Sequence, residues 1–379
     1  MLRALIFSVF ILLAHLASLS QQGNPNFVKR YLRKFTSDTT EKSRPQNLIY
    51  PTISYTPETK WEFGFSTVLI GYAKKDTNNR LSELRTFSFI TSLKQYGFLL
   101  DHAFYSHKNR WFILGLLKMQ SFPLAYHGIG YNSPKEKIAI VEAFTFNWRE
   151  RFLHKIFGNL YMGLELDYQQ LSGVHFKANT NDVSVLHPTG YTGYHNFGAG
   201  IGLLYDTRHN VLNVRKGLFV EMAYLNYPKT FGGINNFSSV FSDLRFFYPV
   251  RKRNVIALQA IGQFTLGNAP FSQLALMGGE MMMRGYYLGR FRDKNYLSIQ
   301  AEYRMLPLNF AKKFGLAIFA SLGGVYDKVI DVTPKYLKYA SGAGLHYLLF
   351  PGKDVWTRLD FAINNEGGGG IYLYIGCAF

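Results

Sequence analysis

The chain has 379 residues, with 42 Lys+Arg against 24 Asp+Glu (formal net charge +18), 33 Phe, 26 Tyr, 35 Gly and one Cys. That is too apolar and aromatic for a disordered chain, and one cysteine excludes a disulfide framework or a cysteine-based zinc site. Beyond the first twenty residues no run reaches the ~18 apolar residues of a membrane helix, which leaves a soluble all-β protein or a transmembrane β-barrel.

Residues 1–20 (MLRALIFSVFILLAHLASLS) carry one positive charge at Arg3, an apolar stretch from Ala4 to Ala14, and small residues at Ser18 and Ser20. This is the layout of a secretory signal peptide, and no cysteine follows it to make a lipoprotein. Residues 21–47 are basic and polar and read as a periplasmic tether or short helix. The remainder, 48–379, reads in steps of two.

The alternation is clearest at 160–169, where Leu160, Met162, Leu164, Leu166 and Tyr168 oppose Tyr161, Gly163, Glu165, Asp167 and Gln169. It recurs at 296–305, with Leu297, Ile299, Ala301, Tyr303 and Met305 against Tyr296, Ser298, Gln300, Glu302 and Arg304. In 371–379 it sets Ile371, Leu373, Ile375, Cys377 and Phe379 against Tyr372, Tyr374, Gly376 and Ala378. Strand side chains point to opposite faces with period two, so each segment has one apolar and one polar or small face. A soluble sandwich alternates too, but runs of roughly nine to twelve residues fit tilted membrane strands better than the usual ~5–6. Trp61, Trp111, Trp148, Tyr168, Tyr303 and Phe379 near strand ends fit an interfacial girdle.

Sixteen strands are predicted: 48–55, 60–72, 84–95, 98–106, 110–120, 136–148, 159–171, 192–205, 217–227, 237–249, 255–266, 295–306, 313–324, 337–349, 355–363 and 371–379. The second slips phase near Ser66. An even count places both ends on one side, with long connections at 172–191 and 267–294 outside the cell and short basic turns such as SHKNR (106–110) and VRKRN (250–254) on the periplasmic side. The GGGG at 367–370 reads as a flexible final hairpin loop.

The segment GGEMMMRGYYLGRFRDKNYLSIQAEYR (278–304) resembles the signature of the bacterial surface antigen superfamily, the BamA/TamA-type outer-membrane barrels. In that family a Gly-Gly pair, here Gly278-Gly279, precedes an Arg-Gly-aromatic tip, here Arg284-Gly285-Tyr286, on the loop between strands 11 and 12 of sixteen. YDTRHNVLNVRKG (205–217) resembles the family's periplasmic turn through Asp206, Thr207, Arg208 and Gly217. GAGLHYLLFPGKDVWTRLDFA (342–362) resembles the penultimate hairpin, including Arg358 and Asp360. The end of the chain, with Tyr372, Tyr374, Gly376 and Phe379, resembles the C-terminal signal strand. PLAYHGIGYNS (123–133) is the matching segment of the first third. The family's thirteenth strand has Phe-x-Asp-x-Gly where this chain has Phe319-Ala-Ser321-Leu-Gly323, so a carboxylate is missing. The family's periplasmic POTRA domains are expected to be absent.

The resemblance implies a sixteen-stranded outer-membrane β-barrel with an inward-folded extracellular loop. A lumenal arginine needs a partner, because an unpaired charge there is expensive. Glu302 is the expected bidentate partner of Arg284, with Asp360 a second candidate and Ser321 a hydroxyl donor at most. Gly285 permits a turn closed to other residues, and Tyr286 packs on the wall. The implied function is outer-membrane protein assembly or insertion, or polypeptide translocation. Implied partners are outer-membrane lipid and lipopolysaccharide, unfolded barrel clients, and periplasmic or outer-membrane partner proteins, with no nucleic acid and no cofactor. A passive channel or structural barrel is the alternative, and a barrel lipid hydrolase is a third. Glu165, Asp167 and Glu221 read as solvated lumen charge rather than a catalytic pair, and Cys377 reads as lipid-facing.

Overall fold

The computed structural model describes residues 43–56, 60–178, 186–208, 210, 213–251, 253–328 and 333–379. The expected signal peptide and residues 21–42 of the expected tether lie outside them. The wall begins with β1 (Gln46–Thr56), β2 (Lys60–Tyr72), β3 (Leu81–Thr91), β4 (Tyr96–Tyr105), β5 (Trp111–Ser121), the short β6 (Leu124–Tyr126), β7 (Ala139–Phe157) and β8 (Leu160–Ala178). It continues with β9 (Tyr194–Asp206), β10 (Gly217–Tyr227), β11 (Phe237–Arg251) and β12 (Asn254–Gly267). The hairpin β13 (Ala275–Met277) and β14 (Phe291–Asp293) follows, set apart from the wall. β15 (Asn295–Met305), β16 (Phe314–Tyr326), β17 (Lys338–Phe350), β18 (Val355–Asn364) and β19 (Gly369–Ile375) complete it.

All sixteen predicted strands are present, and each pairs antiparallel with its neighbour in the chain. Alternating β-branched or aromatic residues and small or polar ones suit a pleated surface that meets two different solvents. The largest length error is at β7, which runs 19 residues to Phe157 rather than stopping at 148. Arg149 and Arg151 break the apolar reading there, but they face the interior and meet Asp167 and Glu165 on β8. β8 likewise continues to Ala178, through the start of the predicted 172–191 loop. The suspected slip at Ser66 does not interrupt β2, whose ladder to β1 is continuous.

The sheet curls until its ends approach. Arg85 on β3 reaches the Tyr374 hydroxyl on β19, and Leu48 and Tyr50 of β1 join an apolar cluster with Ile375. Among the described residues no ladder joins β1 to β19, so this junction is a seam held by side chains. The rim where β1 begins and β19 ends is the terminal rim; the other is the far rim.

The apolar parity faces outward. Ile299, Ile318 and Leu373 are 57%, 56% and 73% exposed, whereas the intervening Ser298, Gln300, Glu302 and Arg304 are buried. This inverts a soluble sandwich and matches a wall that meets lipid. Away from the rims, the outer wall carries one pairing of titratable side chains among the described residues: His102 Nε2 and a Glu150 carboxylate oxygen lie 3.2 Å apart. Both lie over Gly115, where a Cβ would overlap them.

Candidate functional site

The site lies where the 268–294 connection folds back into the lumen. Gly278, Gly279 and Gly285 adopt φ of 110°, 123° and 107°, backbone that favours glycine, and at Gly278 a Cβ would also run into the Tyr287 backbone. These turns lower Arg284 to the wall. Its Nη2 donates to Glu302 on β15 and its Nη1 to Asp360 on β18, each at 2.6 Å and all three side chains buried. The guanidinium carbon lies 3.4 Å from the centroid of the Phe319 ring on β16, adding a cation–π contact. β17 runs between these strands and presents Gly342 and Gly344 to the lumen. A Cβ at Gly342 would strike the Phe319 ring, and one at Gly344 the Asp360 carboxylate. The GAG of the penultimate hairpin is thus the space through which both groups reach the arginine.

The expected Glu302 contact is present, but Arg284 forks over two carboxylates rather than binding one bidentately. The second carboxylate comes from Asp360 on β18, two strands away from the Ser321 position where strand thirteen lacks one. Ser321 is no partner of the arginine; its hydroxyl bonds the Ala340 carbonyl at 3.4 Å, because the two acids already take the fork. Each acid is shared: Glu302 also accepts from Arg304 at 2.6 Å and Asp360 from Arg358 at 3.0 Å. Three guanidiniums therefore surround two carboxylates.

Further bonds fasten the loop along its length. The Gly285 N–H donates to the Tyr372 hydroxyl at 2.8 Å, and its carbonyl accepts from Asn364 at 2.6 Å. Tyr286 is buried and donates to Asn365, while Arg290 pairs with Glu366 at 2.9 Å. The sequence reading missed Asn364, Asn365 and Glu366. The signal was available as the polar NNE before GGGG, but it reads as ordinary loop composition. Gly369 and Gly370 of that run belong to β19 rather than to the turn. Around the hairpin, Arg292 donates to the Gly289 carbonyl at 3.2 Å and lies 5.2 Å from the centroid of the Tyr126 ring. Burial pushes its guanidinium down to about 10, and burial raises the Glu280 carboxyl above its ordinary range. Gly130 donates to the Arg292 carbonyl at 2.8 Å, which docks the 123–133 segment on the hairpin.

The 205–217 turn also closes on an acid. Asp206 accepts from Arg208 at 3.0 Å and from Arg80 at 2.6 Å. Thr207 bonds both backbone groups of Leu218, and Gly217 has φ 133°. Glu165, Asp167 and Glu221 are paired with Arg149 and Arg151, so they are neutralised rather than simply solvated.

The end of the chain departs from expectation. β19 stops at Ile375, Gly376 takes φ 96°, and residues 377–379 turn into the lumen. Phe379 packs with Phe247, Val255 and Ala257, and its carbonyl accepts from Arg304 at 2.9 Å. Phe379 is therefore no girdle residue. Cys377 is buried against Leu306 and Trp356 rather than lipid-facing. Period two alone misplaces both, because a single positive φ reverses the faces that follow it.

Residues 132–379 match the Omp85 superfamily domain. The chain belongs to the Omp85 superfamily. Its fold is similar to BamA from Haemophilus ducreyi lacking POTRA domains 1–3, at TM-score 0.55 and 12% identity over 88% of this chain and 69% of that one. It is also similar to CdiB from Acinetobacter baumannii (TM-score 0.54, 10% identity, 87% of this chain and 59% of that one). CdiB from Escherichia coli gives TM-score 0.54 and 11% identity, over 89% of this chain and 63% of that one. The chain thus spans under two thirds of both CdiB proteins. No curated protein sequence matches it. The Omp85 barrel is an outer-membrane fold, in agreement with the outward apolar wall.

Proposed function

We propose that this Omp85 barrel takes part in inserting other barrels into the outer membrane or in moving polypeptides across it, as a non-enzymatic protein exported by its N-terminal signal peptide. The observation that carries this reading is the pairing of a firmly clamped loop with a seam that lacks a ladder. The edges of β1 and β19, which carry no ladder to each other among the described residues, are a template for an incoming strand. The Arg284 fork meanwhile braces β15 and β18, the latter adjacent to the last strand, so that one side of the seam is held while the other can yield. The Arg284, Glu302 and Asp360 roles, the tyrosines of β19 and the Asp206 turn all serve this bracing.

Depleting the protein in its host and measuring the abundance and heat-resistant folding of the other outer-membrane barrels tests the assembly role. Falling levels of folded barrels are expected. Unchanged barrels, with secreted polypeptides also unchanged, would remove the reading and leave the channel or structural alternative.

A further inference from the structure

The short basic turns remain unexplained by the clamp or the seam. They all lie on the terminal rim. Lys74 lies between β2 and β3, Lys108 and Arg110 between β4 and β5, Lys216 between β9 and β10, and Lys312 between β15 and β16; all are exposed. The acids of this rim are largely engaged: Asp206 by Arg80 and Arg208, and Asp354 by Arg215 at 3.1 Å. On the far rim, two of the exposed cations pair with acids, Lys177 with Glu142 and Lys294 with Asp327, both at 2.6 Å. Apolar side chains stand among the terminal-rim cations, with Phe310 87% and Phe157 68% exposed and Trp111 at the start of β5.

We infer that the terminal rim is a basic collar that selects phosphate-bearing anionic phospholipids from the leaflet it meets. The distribution decides between occupants. A protein partner would dock on one side, but the cations are spread over turns from β2 to β16 and so encircle the barrel. A leaflet surrounds a barrel in the same way. Interleaved aromatic and basic residues suit the headgroup boundary, where rings sit at the interface and cations meet phosphate. Placing this leaflet on the periplasmic side rests on the outer-membrane reading above.

The test reconstitutes the full chain in phosphatidylcholine vesicles and measures the association of spin-labelled phosphatidylglycerol relative to spin-labelled phosphatidylcholine. Attraction near a charged surface is worth at most about fivefold per basic residue and is screened by salt. Wild-type protein is expected to prefer phosphatidylglycerol several-fold at low salt. The variant Lys74→Gln/Lys108→Gln/Lys216→Gln/Lys312→Gln should lose most of that preference, and Lys94→Gln/Lys229→Gln on the far rim should keep it. No preference in wild type, or equal loss in both variants, overturns the collar. A photo-cross-linker at Phe310 that captures a protein rather than phospholipid in cells would also overturn it. Maleimide labelling of Lys312→Cys in intact cells tests the orientation separately. Labelling from outside with the lipid preference intact refutes the periplasmic placement and spares the collar.

Discussion

Replacing Glu302 by glutamine keeps the shape of the side chain and removes its charge. Glu302 accepts from Arg284 and from Arg304, both at 2.6 Å and both out of solvent. Of these two bonds only the one from Arg284 tethers the loop, since Arg304 shares β15 with Glu302. A hydrogen bond to a charged group contributes about 1.5–3 kcal/mol, so undocking is favoured by about that much. At about 1.4 kcal/mol per factor of ten, about 1.5–3 kcal/mol makes the undocked loop roughly ten- to a hundredfold more populated. Asp360→Asn should have a comparable effect, because Asp360 makes the other 2.6 Å bond of the fork. The assay is trypsin cleavage of the 278–294 loop in outer-membrane fractions. Ser321→Ala should be silent. Wild-type protection in Glu302→Gln, or a loss in Ser321→Ala as large as in Glu302→Gln, would refute the shared fork.

Truncating Phe379 to alanine removes a buried ring from the lumenal pocket, a change that costs about 3–5 kcal/mol elsewhere. Cys377, shielded in the wild type, should then react with maleimide at an appreciable rate; continued inertness would mean that Phe379 does not hold the tail. On the outer wall, His102→Leu should destabilise by about 3 kcal/mol by orphaning the Glu150 carboxylate, Glu150→Leu by less because the imidazole left behind need carry no charge, and the double change should be nearly neutral. Heat-modifiable mobility in gels measures this, and equal losses in all three would contradict it. His127, in the 123–133 segment docked on the loop hairpin, is held below its ordinary range by burial, with Arg290 adding to the shift. Its folded pKa lies below the unfolded value of about 6.5, so the docking it contributes is complete above that value and fades as pH falls. Proteolysis of 123–133 should accordingly rise from pH 8 to pH 5, and His127→Phe should flatten the change.

Much of the wall was legible because period two survives in any strand that separates lipid from water. Strand ends were less so, since interior charges at Arg149 and Arg151 mimic a turn until their partners on β8 are known. The loop motif announced Arg284 and its need for an acid, and strand parity placed Glu302 in the lumen. Parity could not choose between Asp360 and Ser321, which depends on the bare glycines of β17 opening a path. The inward turn of the tail was illegible because alternation carries no information across a positive φ at Gly376. The Asn364–Glu366 staple looked like loop because its role depends on a segment some eighty residues earlier in the chain.

The docked loop can be tested with one engineered bond. A Cβ at Gly285 would lie 3.5 Å from that of Ala362, within the span of a disulfide. In a Cys377→Ala background, Gly285→Cys/Ala362→Cys should cross-link under mild oxidation in the membrane, even though φ 107° strains any side chain at position 285. A pair that stays reduced, with position 285 open to maleimide from outside the cell, would contradict a loop clamped within the barrel.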